Sequence, residues 1–345
     1  MRYVKFRKKG DIKNPVKIKK KEEKVMGKRL FLGLVVMVIM SLFLGTDCAQ
    51  AKRIVDPIVS TQWLANNMSN KSLVLIDVRV PDNYSKSHIP GAANFPGLGN
   101  FYINLFSKET PWMELPEQKV LFANIGKAGI TEDSIVVVVG RTAGPMAVYA
   151  LADTTRVAIT LLYAGIDNVA ILDGGYDKWE SEGKPTSSEP VQANPASFDG
   201  NEDNAMFVTK AYVEKMMGKS ILVDARDSDA YFGLTQAPWE KRVGHIPTAK
   251  SLPAPWLWNF IKDKNGVPTY GIYKDSDVAC EMASNVIGKD LDKEIIVYCG
   301  VGGYASTMYY MLTQVAEYRN VKVFDGSMQV WTDDPQAPVV KYQYQ

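Results

Sequence analysis

Ile295-Ile296-Val297-Tyr298-Cys299-Gly300-Val301-Gly302-Gly303-Tyr304-Ala305-Ser306 sets the reading of this chain. An uncharged apolar run ends on a cysteine, and three glycines follow it within four residues. Apolar side chains then return at helical spacing from Tyr304 to Val315. The pattern predicts a buried strand, a tight loop and a helix, the unit from which parallel α/β sheets are built. In such sheets the active site lies beyond the carboxyl ends of the strands, where Cys299 stands. Loop N–H groups and the helix start converge on the thiol, which is expected to favour the nucleophilic thiolate. A free buried cysteine is also a common small core residue. The glycines directly after Cys299 argue for the nucleophile.

The surrounding pattern occurs twice. Leu73-Val74-Leu75-Ile76-Asp77-Val78-Arg79 matches Ile221-Leu222-Val223-Asp224-Ala225-Arg226, each an apolar strand ending in Asp-x-Arg. His88-Ile89-Pro90-Gly91-Ala92 matches His245-Ile246-Pro247-Thr248-Ala249. Asp173-Gly174 with Trp179 matches Asp325-Gly326 with Trp331, and Ile135–Gly140 matches the strand ending at Cys299. The offsets run from 147 to 159 residues, with the extra length falling around Tyr231 to Lys241. Duplicated domains vary in this way, through loop insertions. Residues 56–186 and 205–342 are therefore read as two α/β domains, each a central parallel sheet flanked by helices. The Pro-, Ser- and Asn-rich stretch 187–204 reads as the linker.

Net charge hides a division. Residues 1–29 carry thirteen Lys/Arg and three acids, whereas the chain from Lys52 onward carries 27 basic and 34 acidic residues. An acidic body presents no basic face for nucleic acid. After the basic segment come sixteen uncharged residues, Leu30 to Gly45, and then Ala49-Gln50-Ala51. Residues 1–51 thus read as a secretory signal peptide with a basic extension, cleaved after Ala51. The alternative is an uncleaved anchor through residues 30–45, which is the only membrane contact the sequence implies. Either way the expected location is periplasmic or otherwise extracytoplasmic.

Beyond Cys48 only Cys280 and Cys299 remain, too few for a disulfide framework, and no CxxC or Cys/His cluster points to a metal. Cys280, in Ser276–Met282, reads as a half-buried helix residue.

The ordered set of Asp-x-Arg, His-Ile-Pro, cysteine loop and Asp-Gly with a following Trp resembles the tandem rhodanese family, the thiosulfate and 3-mercaptopyruvate sulfurtransferases. The likeness runs from Asp56 to Val340. It implies two domains with five-stranded parallel sheets, of which only the second is catalytic. Gly140 takes the cysteine position in the first. It also implies that the Cys299 thiolate takes the sulfane sulfur of thiosulfate, or the thiol sulfur of 3-mercaptopyruvate, as a persulfide. An acceptor such as cyanide or a thioredoxin-like dithiol then removes it, without any cofactor. Loop N–H groups of Gly300, Val301, Gly302, Gly303, Tyr304 and Ala305 would hold the persulfide.

Two departures bear on the donor. Gly300-Val301 follow the cysteine where thiosulfate enzymes place Arg-Lys, and Gly303-Tyr304 replace the Val-Thr of mercaptopyruvate enzymes. The donor-gripping arginine after Asp-x-Arg is absent, since Asp229-Ala230-Tyr231 stand there. Lys241 and Arg242, in the insert before Gly244-His245, are the candidates to replace it. The alternative to an enzyme is a sulfane-sulfur carrier or binding module with a degenerate site. Phosphatase relatives of this fold need a loop arginine for their oxyanion, and the sixth residue after Cys299 is Ala305. Asp224, Arg226 and His245 support the site: the first two as an internal ion pair, the histidine as a bond between loop and strand end. Trp256 and Trp258 are assigned either to an interdomain cleft or to core packing.

Overall fold

Leu73–Asp77 and Ile221–Asp224 pair in parallel with the central strands of two five-stranded sheets in the computed structural model, which describes residues 53–103 and 112–344. The first sheet takes β1 (Ile58–Val59), β2 (Leu73–Asp77), β3 (Ala93–Asn94), β4 (Ile135–Val139) and β5 (Val169–Leu172), in the order β1-β5-β4-β2-β3. The second takes β6 (Phe207–Val208), β7 (Ile221–Asp224), β8 (Ala249–Ser251), β11 (Ile295–Tyr298) and β12 (Val321–Phe324), in the order β6-β12-β11-β7-β8. The two orders are the same when read copy against copy, which is the duplication seen in the sequence. Every residue of β4 and β11 is buried. Helices cover both faces of a parallel sheet, so its central strands need apolar side chains on both sides.

The remaining pair, β9 (Trp258–Lys262) and β10 (Pro268–Tyr273), forms an antiparallel hairpin that the repeat did not foretell. It straps the second domain to the first. Gly144 N–H donates to Pro268 O at 2.8 Å, and Tyr273 N–H donates to Asp173 Oδ1 at 2.9 Å.

The domains share a core. The helix Ala147–Tyr163 of the first packs along Gly303–Tyr310 of the second, and one continuous apolar cluster runs from Ile76 to Val323. Within that interface Thr155 and Thr307 hydroxyls bond at 2.7 Å, and Tyr310 donates to the carbonyls of Pro57 and Val169 at 2.7 and 3.0 Å. Burial leaves these hydroxyls no water, so each must find a protein partner.

The interdomain segment 187–204 follows the first domain's surface. Ser187 bridges to His88, Ala196 N–H donates to Gly126 O at 2.9 Å, and Phe198 stands edge-on to Phe122. The proposed signal peptide or anchor, residues 1–51, lies outside the described residues. Among those described, no helix is long and apolar enough to cross a membrane.

Candidate active site

β11 ends at Tyr298 and hands the chain to Cys299, which is buried at 2% exposure on the cavity floor. Two bonds fix the cysteine backbone: its N–H donates to Ser327 Oγ at 3.1 Å, and its carbonyl accepts from Met328 N–H at 2.9 Å. Gly302, at φ +102°, turns its N–H back to Cys299 Sγ at 3.1 Å before the helix Gly303–Tyr310 begins. The backbone N–H groups of Ala305 and Val301 also act on the sulfur. Gly302 and Ala305 reach the sulfur without lining the cavity, whereas Gly300, Val301, Gly303 and Tyr304 line it.

The loop N–H groups favour the thiolate as expected, but burial outweighs them. Burial pushes the Cys299 thiol up, against the lowering effect of the Ala305, Val301 and Gly302 N–H groups and the Ser327 hydroxyl. Desolvation penalises the charged form more than these dipoles favour it.

Ser327 has φ +48°, a left-handed backbone uncommon for a residue with a Cβ. Its hydroxyl lies 4.0 Å from Cys299 Sγ and donates to Phe324 O at 3.0 Å. The first domain has Gly175 at the matching place.

Beneath the loop, Arg226 donates to both oxygens of Asp224, to Gly244 O at 2.7 Å and to Glu240 Oε1 at 3.0 Å. The first copy repeats the Asp77–Arg79 pair, with Ser87 O as the added acceptor. His245 is buried, bonds Tyr231 O through Nδ1 at 2.8 Å and stacks on the Tyr231 ring. It fastens the loop to the preceding helix and does not line the cavity.

The cavity above Cys299 measures about 550 Å³ and draws on both domains. Its aromatic wall is Tyr102, Trp112 and Tyr149 from the first and Trp239 and Tyr304 from the second. Asp153, Asp227 and Glu240 add carboxylates. Burial pushes Asp153 up to about 7, and Tyr102 donates a hydrogen bond to it.

Neither cation proposed to grip the donor reaches this space. Arg242 donates to Asp334 O and Ala337 O, both at 2.7 Å, so its guanidinium serves the end of the helix Ser327–Asp333. Lys241 is exposed, its N–H bonded to Thr332 Oγ1. Trp258 is core, against Tyr273 and Tyr304, while Trp256 is exposed; neither lines the cavity.

The rhodanese-like domain model matches residues 60–182 and again 209–334. The chain belongs to the rhodanese family. A Synechococcus elongatus protein named "Putative thiosulfate sulfurtransferase" is 29% identical over 84% of this chain and 85% of its own. The structure of the Escherichia coli 3-mercaptopyruvate sulfurtransferase SseA has a TM-score of 0.64 at 23% identity, covering 79% of this chain and 99% of its own. The anaerobic ergothioneine biosynthesis enzyme from Chlorobium limicola, in complex with trimethyl histidine, has a TM-score of 0.67 at 20% identity, covering 83% and 70%. At these identities the two structures show a shared fold.

In this rhodanese-family chain the first domain's loop is filled from within. Thr142 and Ala143 N–H groups donate to Asp177 Oδ2 at 2.6 and 3.1 Å. The matching residue of the second domain is Gln329, whose N–H instead holds Gly300 O at 2.9 Å. Gly140 also has no room for a side chain, because a Cβ there would meet Thr154 Oγ1 at 1.8 Å.

Several site residues carried little sequence signal. Ser327 was visible as a serine where the first copy has glycine. Glu240 and Trp239 sit in the insert around Tyr231 to Lys241, directly before the basic pair Lys241-Arg242. Tyr102, Tyr149 and Asp153 come from the cysteine-free copy and reach Cys299 only through domain packing.

Proposed function

We propose that this protein is an exported sulfurtransferase that carries sulfur as a persulfide on Cys299. The observation that carries the reading is a lone thiol on a cavity floor with N–H donors turned to its sulfur. Such donors hold a negatively charged sulfur without titrating. In the first step the Cys299 thiolate attacks the outer sulfur of thiosulfate; the S–S bond breaks and its electron pair leaves with sulfite. With 3-mercaptopyruvate the C–S bond breaks instead, and the electron pair leaves on pyruvate enolate, which takes a proton. A thiophilic acceptor, cyanide or a dithiol, then attacks the outer sulfur of the persulfide and returns the thiolate. Export is supported by the basic start, the Leu30–Gly45 run and Ala49-Gln50-Ala51; recovery of the protein only from the cytoplasmic fraction would overturn it.

Mass spectrometry of the Cys299 peptide after incubation with each donor tests the chemistry. One added sulfur atom, released by cyanide and lost in Cys299→Ser, is the expected result. Arg141→Ala, in the filled loop of the first domain, is expected to load as wild type. No added sulfur from either donor, or turnover that survives Cys299→Ser, overturns the reading.

A further inference from the structure

The cavity is far larger than a thiosulfate or cyanide ion needs, and it falls in the range of small organic ligands. Its walls are aromatic. Tyr149 and Tyr304 lie parallel with centroids 5.8 Å apart, and Trp112 meets Trp239 edge-on at 5.3 Å. Its lining is acidic: Asp227 and Glu240 stand there against one cation among the described residues, Arg226, and Asp153 adds a carboxyl that burial pushes up to about 7. That guanidinium is already spent on Asp224, Glu240 and Gly244 O. Glu240, at 3% exposure, keeps a second carboxylate oxygen buried without a hydrogen-bond partner.

An anion in this space loses its water and meets carboxylates in exchange, a trade that weakens binding of thiosulfate as well as of anionic acceptors, so loading of Cys299 calls for donor in large excess. An ammonium centre meets aromatic faces and carboxylates, both of which attract it. We propose that the molecule that fills this cavity, and accepts the Cys299 sulfur, is a small organic cation bearing a thiol. The proposal rests on the persulfide reading above. Its ammonium end sits between the aromatic walls and the carboxylates, which places the thiol towards Cys299. The acceptor's thiolate, its proton given to solvent, attacks the outer sulfur of the persulfide. The S–S bond breaks, its electron pair returns to Cys299, and the acceptor departs as a persulfide. The exchange is redox-balanced and needs no further reagent.

The test is a charge series. Cys299 is loaded, loading is checked by cyanide-released sulfur, and sulfur transfer is timed with thiocholine, 2-mercaptoethanol and 3-mercaptopropionate. Rates are expressed per thiolate, which removes differences in thiol acidity. Thiocholine is expected to exceed 3-mercaptopropionate at least tenfold, with the neutral thiol between them. Asp227→Asn and Tyr149→Ala, both at exposed positions that fold readily, are expected to narrow that preference several-fold. An equal or reversed order, or a preference untouched by both substitutions together, overturns the proposal. If Cys299 takes no sulfur from any donor, the transfer step falls with the reading beneath it. Choline binding to the unloaded protein, followed by tryptophan fluorescence, then decides the cavity alone. Saturable quenching by choline and none by 3-hydroxypropionate upholds an organic-cation site, and no response to choline overturns it.

Discussion

Arg156, from the domain without a cysteine, forms a buried two-bond pair with Asp325 of the cysteine domain, its Nη2 donating to Oδ2 at 3.0 Å. The pair backs the Cys299 loop, because a Cβ on Gly302 would stand 3.1 Å from Asp325 Oδ1 and 3.4 Å from Arg156 Nη1. The first domain therefore props the Cys299 loop as well as lining the cavity.

Removing one partner leaves the other charge buried and uncompensated. Arg156→Met is expected to cost about 3–5 kcal/mol of stability, measured by urea unfolding, and to slow Cys299 loading in the fraction that remains folded. A loss below about 1 kcal/mol, the size of a surface pair, would mean that Asp325 finds another partner.

Ser327 combines a strained backbone with a useful hydroxyl. Ser327→Gly relieves the left-handed strain but frees the unfolded chain, so stability should move by less than about 1 kcal/mol. Loading of Cys299 should slow roughly fivefold, the worth of about one hydrogen bond. Ser327→Ala keeps the strain and loses the bonds, and should be the less stable of the two. Unchanged loading in both variants would show that the hydroxyl only braces the turn.

Burial holds Cys299 above the ordinary thiol range. Its alkylation by iodoacetamide, followed on the Cys299 peptide, should climb with pH past the value of about 8.5 at which a free thiol is half ionised. The linked stability has a definite sign. The folded protein binds this proton more tightly than the unfolded chain, so stability is intact below the unfolded pKa and is lost as pH rises through the folded one. Cys299→Ala should lack that alkaline loss when the two unfolding curves are compared.

Gly140→Cys should not create a second sulfur site. Thr154 Oγ1 stands where the new Cβ would go, and Asp177 already occupies the loop N–H groups. The expected outcome is overpacking of about 1–3 kcal/mol with no sulfur recovered on residue 140 by mass spectrometry.

Most of the architecture was legible because it is written in short-range patterns. Apolar strands ending in Asp-x-Arg, repeated with the His-Ile-Pro and Asp-Gly segments, specify two sheets and put Cys299 at a strand end. The hairpin β9–β10 lies outside the repeated motifs, and it is held by contacts with the first domain rather than by a local sequence pattern. The thiol's net ionisation was only half legible, for a related reason. The N–H donors follow from the loop's local sequence, but the dehydration that outweighs them comes from what packs around it.

Donor and acceptor recognition shows the same divide. Lys241 and Arg242 had the right charge and a plausible place in the chain, yet Arg242 is drawn to carbonyls near the end of a helix and Lys241 is exposed to solvent. Periodicity, duplication and the glycines after Cys299 were enough to specify the sheets and the place of Cys299 at a strand end, since both depend on residues a few positions apart. The cavity's acidic, aromatic character came only with the packing of Ala147–Tyr163 against Gly303–Tyr310. That packing joins side chains some 150 positions apart in the chain, and no local spacing encodes it.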